Sequence, residues 1–406
     1  MERGFAQSVV KLLFIKCKIY LLGFSLLDME KKRKFLFLYL DTGGGHKSSA
    51  NVLKNIFAEK YPEAEIVLEN GFNESNIFGR LAFEDLYHFS MNFVPGLFSF
   101  IYRIGGRWFQ TFIIKFLNLW TNGYLEKLIK KHNPTDVVCF HFALGHAVRS
   151  AVRSANPNIR ISMVVTDPFT AHSTWFYEPK TKYYVFSEQV KNYAQKKCHI
   201  PEENLTVVPF LLNQKFRKLA TKEDVKVIRK KYNLPLDKKI VLLTGGGEGL
   251  PNMIPIVTDF VARRVDFTVV VVCGRDIRTK AYLDILSKAQ KFVDIRVYGF
   301  INFMDEIVKA CDCAVIKAGP ASLMDVLVSR KPVVINHFIY GQELGNVQFA
   351  IDNKVGIFVR KPKSITKAVD IMLHDEEYLE KTSRQIENLP ISFESDKLAD
   401  LLMENS

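Results

Sequence analysis

Between Cys311 and Asn346 the chain reads CDCAVIKAGPASLMDVLVSRKPVVINHFIYGQELGN, a string that few folds accept. A short apolar run, Ala314–Ile316, ends in Lys317-Ala-Gly-Pro320. A helix-like segment over Ser322–Ser329 follows. Lys331-Pro332 then opens a second apolar run, Val333–Asn336, which empties into Gly341-Gln-Glu-Leu-Gly-Asn346. Short continuous apolar runs separated by a helical segment fit strands of a parallel sheet, buried on both faces. A βαβ unit of this kind places loops at the carboxyl ends of its strands. There, helix N-termini offer unpaired N–H groups to anions.

The same punctuation recurs upstream. Ile240–Leu243 precedes Gly245-Gly-Gly-Glu-Gly249, Thr268–Cys273 precedes Gly274-Arg275, and Ile295–Val297 precedes Gly299-Phe-Ile301. With Lys317–Pro320 and Gly341–Glu343 this makes five glycine-marked exits on one sheet edge. Each alone is an ordinary turn. Together they outline a pocket for a nucleotide diphosphate, because glycine lets backbone N–H groups approach a pyrophosphate closely. An earlier unit starts the same way: Phe35–Leu40 runs into Asp41-Thr-Gly-Gly-Gly-His-Lys-Ser-Ser-Ala50, then a helix over Ser49–Glu59 and a strand over Ala64–Leu68. The GxxxxGK[ST] pattern is absent from that turn, so it is not a Walker A loop. Further strands are expected at Asp136–Phe140, Ile161–Val165, Tyr183–Phe186 and Leu205–Val208, before a lysine-rich helix over Lys218–Tyr232. The predicted fold class is α/β. Two facing Rossmann-like domains, each beginning strand–GGG–helix, enclose an interdomain cleft.

Charge narrows the partners. The net charge is +13, with 27 Lys/Arg against 18 Asp/Glu in residues 1–216 and 29 against 25 beyond. A basic first half attracts anionic surfaces. No RNP-like pattern of basic and aromatic residues is present, so a membrane surface is expected and nucleic acid is not. Cys17, Cys139, Cys198, Cys273, Cys311 and Cys313 are scattered, and Cys311-x-Cys313 is too tightly spaced for a zinc knuckle. Several lie in or beside strand-like runs, as small core residues do, which suits a reducing, cytoplasmic environment.

Two stretches interrupt the alternation. Residues 1–28 are apolar but broken by Lys11, Lys16 and Lys18, so they read as a membrane-surface anchor or as sequence ahead of a start at Met29. Residues 72–120 hold fourteen aromatics interleaved with Arg80, Arg103, Arg107 and Lys115. Aromatic and basic side chains together suit an interfacial segment, and a buried helical cap would read similarly.

The 311–346 block, the TGGGH turn and VVTDPFTAHSTWFYEPKTKYYVFSE over 164–188 resemble the family of monogalactosyldiacylglycerol synthases and processive diacylglycerol glucosyltransferases. This is a MurG-like group within glycosyltransferase family 28. The resemblance spans roughly 35–362 and implies the GT-B fold. With the reading of the two ends, the expected organisation is an extension at 1–29, an acceptor domain at 30–212 with the lipid-binding insert 72–120, a UDP-sugar domain at 213–380, and a helix at 381–406 that packs back.

Residue roles follow from the same resemblance. His46 would be the base that takes the acceptor hydroxyl's proton, with Asp167 orienting it or the acceptor. His141 follows a strand as in relatives but lacks the usual proline after it, and takes no catalytic role. On the donor side the backbone of Ile301, after Phe300, would read the uracil edge. Asp325, where relatives carry Glu, would meet the ribose hydroxyls. Ala321 and Ser322, helped by Arg275, would meet the pyrophosphate. Gln342, Glu343 and Asn346 would hold sugar hydroxyls and the distal phosphate. Gly44, Gly45, Gly246, Gly247, Glu248, Lys317, Gly319 and Pro320 complete the binding set.

The expected activity is inverting transfer of a hexose from UDP-glucose or UDP-galactose to diacylglycerol or a related membrane lipid, at the cytoplasmic face of a membrane. No cofactor is expected, since the UDP-sugar is a substrate, and no essential metal, since no DxD-like acidic motif is evident. The rival readings are a MurG-like UDP-N-acetylglucosamine transferase to a polyprenyl lipid, a UDP-sugar epimerase and a non-catalytic UDP- or lipid-binding relative.

Overall fold

The structure, a computed structural model, describes residues 33–40, 45–72, 121–176, 178–339, 342–389 and 394–404. Residues 1–32 and 73–120 lie outside these, and with them the expected anchor and nearly all of the expected insert.

Two six-stranded sheets, parallel throughout, form the frame. The first holds β1 (Lys34–Tyr39), β2 (Glu65–Asn70), β3 (Asp136–Cys139), β4 (Arg160–Val164), β5 (Lys182–Val185) and β6 (Leu205–Val207), in the order β2-β1-β3-β4-β5-β6. The second holds β7 (Ile240–Thr244), β8 (Thr268–Val272), β9 (Ile295–Tyr298), β10 (Cys313–Lys317), β11 (Val333–His337) and β12 (Gly356–Phe358), ordered β12-β11-β10-β7-β8-β9. The chain reverses its direction of travel between β1 and β3 in one sheet and between β7 and β10 in the other. Such switch points open a crevice beyond the strand ends, and that is where ligands of doubly wound sheets sit.

Burial on both faces explains the unbroken apolar runs. Phe35, Leu36, Phe37 and Leu38 of β1 are all fully buried. Phe35 and Phe37 join Leu53, Phe57 and Phe140 on one face, while Leu36 and Leu38 join Leu144 and Val148 on the other. Alternate residues of a strand point to opposite faces, so both sets had to be apolar.

The chain's last described helix, Lys397–Glu404, returns to the first sheet, where Leu398, Ala399 and Leu402 join the Phe35–Phe57 face. Tyr61 Oη donates to Asp400 at 2.8 Å and Arg33 to the Met403 carbonyl at 2.5 Å. Ser395, just before this helix, ties it to the segment that follows β6, accepting from Leu212 N–H and donating to the Phe210 carbonyl. The lysine-rich helix starts at Lys222 rather than Lys218, because Thr221 and Asp224 form a reciprocal capping box. Cys139, Cys198, Cys273, Cys311 and Cys313 are free and buried. Among the described residues no helix is long and apolar enough to cross a membrane.

Candidate active site

The helix after β1 begins at Gly45, so His46 occupies its first turn and not the loop expected for it. Its Nδ1 lies 2.7 Å from Thr166 Oγ1, at the exit of β4. The ring also bonds the Phe140 carbonyl, at the exit of β3. His141 stands edge-on at 4.5 Å between ring centroids, and the Trp175 ring lies at 6.2 Å. Burial pushes the His46 imidazole down to about 4, only partly opposed by the Phe140 carbonyl. The positive end of the helix dipole disfavours imidazolium further. His46 is therefore neutral at pH 7 and able to accept a proton.

His141 is held differently. It is 3% exposed, and its Nδ1 accepts the Ala143 N–H at 3.2 Å, which places the ring proton on Nε2 in the neutral form. Burial and the neighbouring His46 keep it well below the usual histidine range.

Asp167 is not the residue bonded to His46; Thr166 is. The Asp167 carboxylate instead accepts the Trp175 indole N–H at 2.8 Å, fixing the indole beside the two histidines. Burial pushes Asp167 up to about 7, with Glu343 of the second domain adding repulsion.

On the donor side, the turn Gly245–Gly249 follows β7 with Gly246 and Gly249 at φ of +75° and +80°. Gly274, at φ +61°, follows β8 so closely that a Cβ there would stand 2.5 Å from the Gly247 carbonyl oxygen. Arg275 N–H donates to that same oxygen at 2.8 Å, so the two turns interlock. The Arg275 guanidinium lies 3.7 Å from Glu248 and 5.7 Å from the Phe300 ring centroid, and all three side chains are exposed at the rim. Ile301 is half-buried against the second core.

The helix Pro320–Val328 begins at the exit of β10, with Pro in the first turn and no side chain capping its N–H groups. Those N–H groups are open to an anion. Ser322 Oγ is 3.8 Å from where a Gly246 Cβ would be, so the glycine turn and this N-terminus face each other. Ala321 and Ser322 are half-buried there. At Gly319 a Cβ would meet Lys317 Cε at 3.5 Å and Glu343 Oε1 at 3.7 Å. Glu343 is 6% exposed and accepts the Ile339 N–H at 2.8 Å; burial raises its carboxyl and Lys317 counteracts. Burial and nearby Asp305 push Asp325, on the same helix, up to about 8.

Gln342 precedes Glu343 and is half-buried. Asn346 is placed differently from expectation: it is 1% exposed, and its amide donates to the Ala318 carbonyl at 2.7 Å. It braces the Lys317–Pro320 turn through this bond, while its buried Oδ1 has no hydrogen-bond partner among the described residues. Gly44 and Gly341 lie outside the described residues.

The two switch points face one another. The helix starting at Gly45 packs across the cleft against the helix starting at Pro320. Phe169, beyond β4, stacks on Phe349 of the helix Leu344–Asp352 with centroids 4.0 Å apart and planes within 10°. A Cβ at Gly345 would stand 1.8 Å from Thr170 Oγ1, so glycine is what allows this contact. Thr166 and Trp175 were not singled out from sequence; the only signal was their place in the Thr-Asp and His-x-x-Trp stretches.

This pairing of two doubly wound sheets across a cleft defines the GT-B class. MurG from Acinetobacter baumannii superposes with a TM-score of 0.57 at 13% identity, covering 91% of this chain and 99% of that one. A glycosyltransferase from Rickettsia africae ESF-5 gives 0.55 at 17%, covering 93% and 100%. The UDP-GlcNAc 2-epimerase of Neisseria meningitidis gives 0.60 at 13%, covering 92% and 100%. At such identities the likeness speaks for the fold alone.

The sequence comparisons go further. The monogalactosyldiacylglycerol (MGDG) synthase family model matches residues 46–208, and the glycosyltransferase family 28 C-terminal domain matches 240–399. The chain belongs to this family of glycosyltransferases. It is 28% identical over 365 residues to a probable chloroplastic MGDG synthase of Glycine max, covering 84% of this chain and 65% of that one. To MGDG synthase 1 of Arabidopsis thaliana it is 27% identical over 362 residues, with the same coverages. To a probable MGDG synthase 2 of Oryza sativa subsp. indica it is 28% identical, covering 83% and 73%. The chain thus spans about two thirds of the length of the first two relatives.

Proposed function

We propose that this protein transfers a hexose from UDP-glucose or UDP-galactose to the hydroxyl of diacylglycerol or a closely related lipid, with inversion, at a membrane surface. The observation that carries the reading is the neutral His46 on Thr166 at one switch point, set across the cleft from the glycine turn and the open Pro320 helix N-terminus. A neutral imidazole takes the acceptor's proton as its oxygen attacks the anomeric carbon. The UDP leaving group gathers negative charge, which the first-turn N–H groups of Ala321 and Ser322 and the Arg275 guanidinium would stabilise. These groups provide for the leaving charge without a metal ion. Attack from the His46 side on a sugar held from the opposite domain inverts the anomeric centre.

The lipid acceptor is supported by the MGDG synthase relatives. The fold is shared with UDP-GlcNAc 2-epimerases, so the experiment must separate transfer from epimerisation. Purified protein is incubated with each labelled UDP-sugar and detergent-dispersed diacylglycerol. Label in a lipid extract, with opposite anomeric configuration to the donor, is expected. Epimerised UDP-sugar without labelled lipid would overturn the reading.

A further inference from the structure

The helix Ile277–Ala289 lies along β9, the outer edge strand of the second sheet, and one of its faces is built the wrong way round for water. Leu283 points inward and is fully buried. On the opposite side Ile277 is 79% exposed, Ile285 69% and Tyr282 48%. At about 100° per residue these three, with Ala281, Ala289, Arg278 and Lys288, fall within one arc of about 140° centred away from Leu283. That arc is apolar and basic and contains no carboxylate. The acids nearby are engaged elsewhere: Asp276 caps the helix through Thr279 N–H at 3.0 Å, and Asp284 pairs with Lys280 at 2.6 Å. The pattern continues past the helix, where Lys291 is exposed and Phe292 is 60% exposed under the Arg264 guanidinium.

A solvated helix face carries charges of both signs, and single exposed apolar residues are ordinary. Ile277, Ile285 and Tyr282 on an arc whose only charged residues are Arg278 and Lys288 form instead a surface for an anionic apolar–polar boundary. Aliphatic and aromatic side chains enter the headgroup region while Arg and Lys meet lipid phosphates. We propose that this face of the second domain docks on anionic bilayers. Its first residue, Ile277, is two positions beyond Arg275, so docking brings this end of the helix, next to the donor rim, to the lipid surface. The choice of a bilayer over another acidic partner rests on the lipid-acceptor reading; the chemistry of the face does not.

The test compares the full chain with Ile285→Glu/Phe292→Glu and with Arg278→Gln/Lys288→Gln. Binding to phosphatidylcholine vesicles with and without phosphatidylglycerol is read by co-sedimentation, and self-association by sedimentation velocity. The glutamate pair is expected to weaken binding to the anionic vesicles about tenfold or more, through lost insertion and added repulsion. The glutamine pair is expected to weaken it less and to reduce its salt dependence. Transfer to detergent-dispersed diacylglycerol is expected to stay unchanged in both variants. Unchanged vesicle binding would overturn the proposal, whether the glutamate pair left the protein otherwise unaltered or lowered its melting temperature by exposing a face the chain itself covers. A wild-type dimer that the glutamate pair dissociates would overturn it too, assigning the face to a second copy. Absence of transfer in detergent, with vesicle binding still sensitive to Ile285, would instead count against the lipid-acceptor reading alone.

Discussion

Thr166 Oγ1 holds His46 Nδ1 at 2.7 Å, joining the exit of β4 to the first turn of the helix after β1. Thr166 is 4% exposed, so its hydroxyl serves the imidazole and not bulk water. The bond fixes the ring's rotation, and with it the direction from which a proton can be taken.

If His46 is the base, His46→Ala lowers kcat by roughly 10²–10⁴ and leaves UDP affinity intact. Thr166→Val, which keeps the volume and removes the hydroxyl, is expected to lower kcat by roughly 10- to 100-fold with KM for the donor unchanged. Thr166→Ser should restore most of it. Loss of stability with no selective loss of kcat, and no rescue by serine, would reduce Thr166 to a packing residue.

The cleft's closure is encoded at Gly345. Alanine there would place its Cβ 1.8 Å from Thr170 Oγ1 and 2.8 Å from the Phe169 carbonyl carbon, so a side-chain rotation alone does not relieve it. The loop must withdraw from the Leu344–Asp352 helix, breaking the Phe169–Phe349 stack. Gly345→Ala is expected to enlarge the radius of gyration in X-ray scattering and to lower kcat, with UDP binding to the second domain preserved. Scattering and turnover identical to wild type would show that the two domains do not work in this contact.

If donor charge is met by the Pro320 helix N–H groups and Arg275, as proposed, chelation should not matter. Turnover after dialysis against EDTA is expected to match the untreated protein within error. A loss restored by Mg²⁺ or Mn²⁺ would mean that a cation shares the pyrophosphate. Arg275→Gln is the complementary arm: removal of one charged hydrogen-bonding partner costs about 1.5–3 kcal/mol of UDP affinity.

Much of the frame could be read in advance, for one physical reason. Strands buried on both faces, such as β1 and β10, become uninterrupted apolar runs, and the exits between them need glycine. β12 escaped because it is only Gly-Ile-Phe at a sheet edge, too short to show any pattern. The start at Gly45 escaped because consecutive glycines are poor helix formers; tertiary contacts from Thr166 and Phe140 secure that first turn. Site residues divide in the same way. His46 and Glu343 stand beside glycine turns and were visible. Thr166 was hidden by its ordinary chemistry, and the burial of Asn346 and its bond to the Ala318 carbonyl are not written in a Gly-Gln-Glu-Leu-Gly-Asn string.

Asp325 supplies a prediction with a definite sign. Burial and Asp305 hold its carboxyl at about 8, above the ordinary carboxylate value, so the free protein keeps it protonated at pH 7. Between about pH 4 and 8 the native state carries a proton that the unfolded chain has lost. This group's contribution to stability therefore falls as pH rises across that window. Asp325→Asn should accordingly melt higher than wild type at pH 8, with the gap closing toward pH 4. Binding runs the other way. If the ribose hydroxyls donate to this side chain, UDP selects the ionised carboxylate and expels the proton. Ionising a group one unit below its pKa costs about tenfold in affinity, so UDP should bind about tenfold more tightly at pH 8.5 than at pH 7. Calorimetry at pH 7 in buffers of different ionisation enthalpy should register close to one proton released. Asp305→Asn should shift the rise in affinity to lower pH, and Asp325→Asn should abolish it. Asp325→Glu, longer by one methylene or about 1.5 Å, should clash if the helix already sits close to the ribose. An affinity flat from pH 7 to 8.5 in wild type and in both Asp325 variants would place the ribose elsewhere.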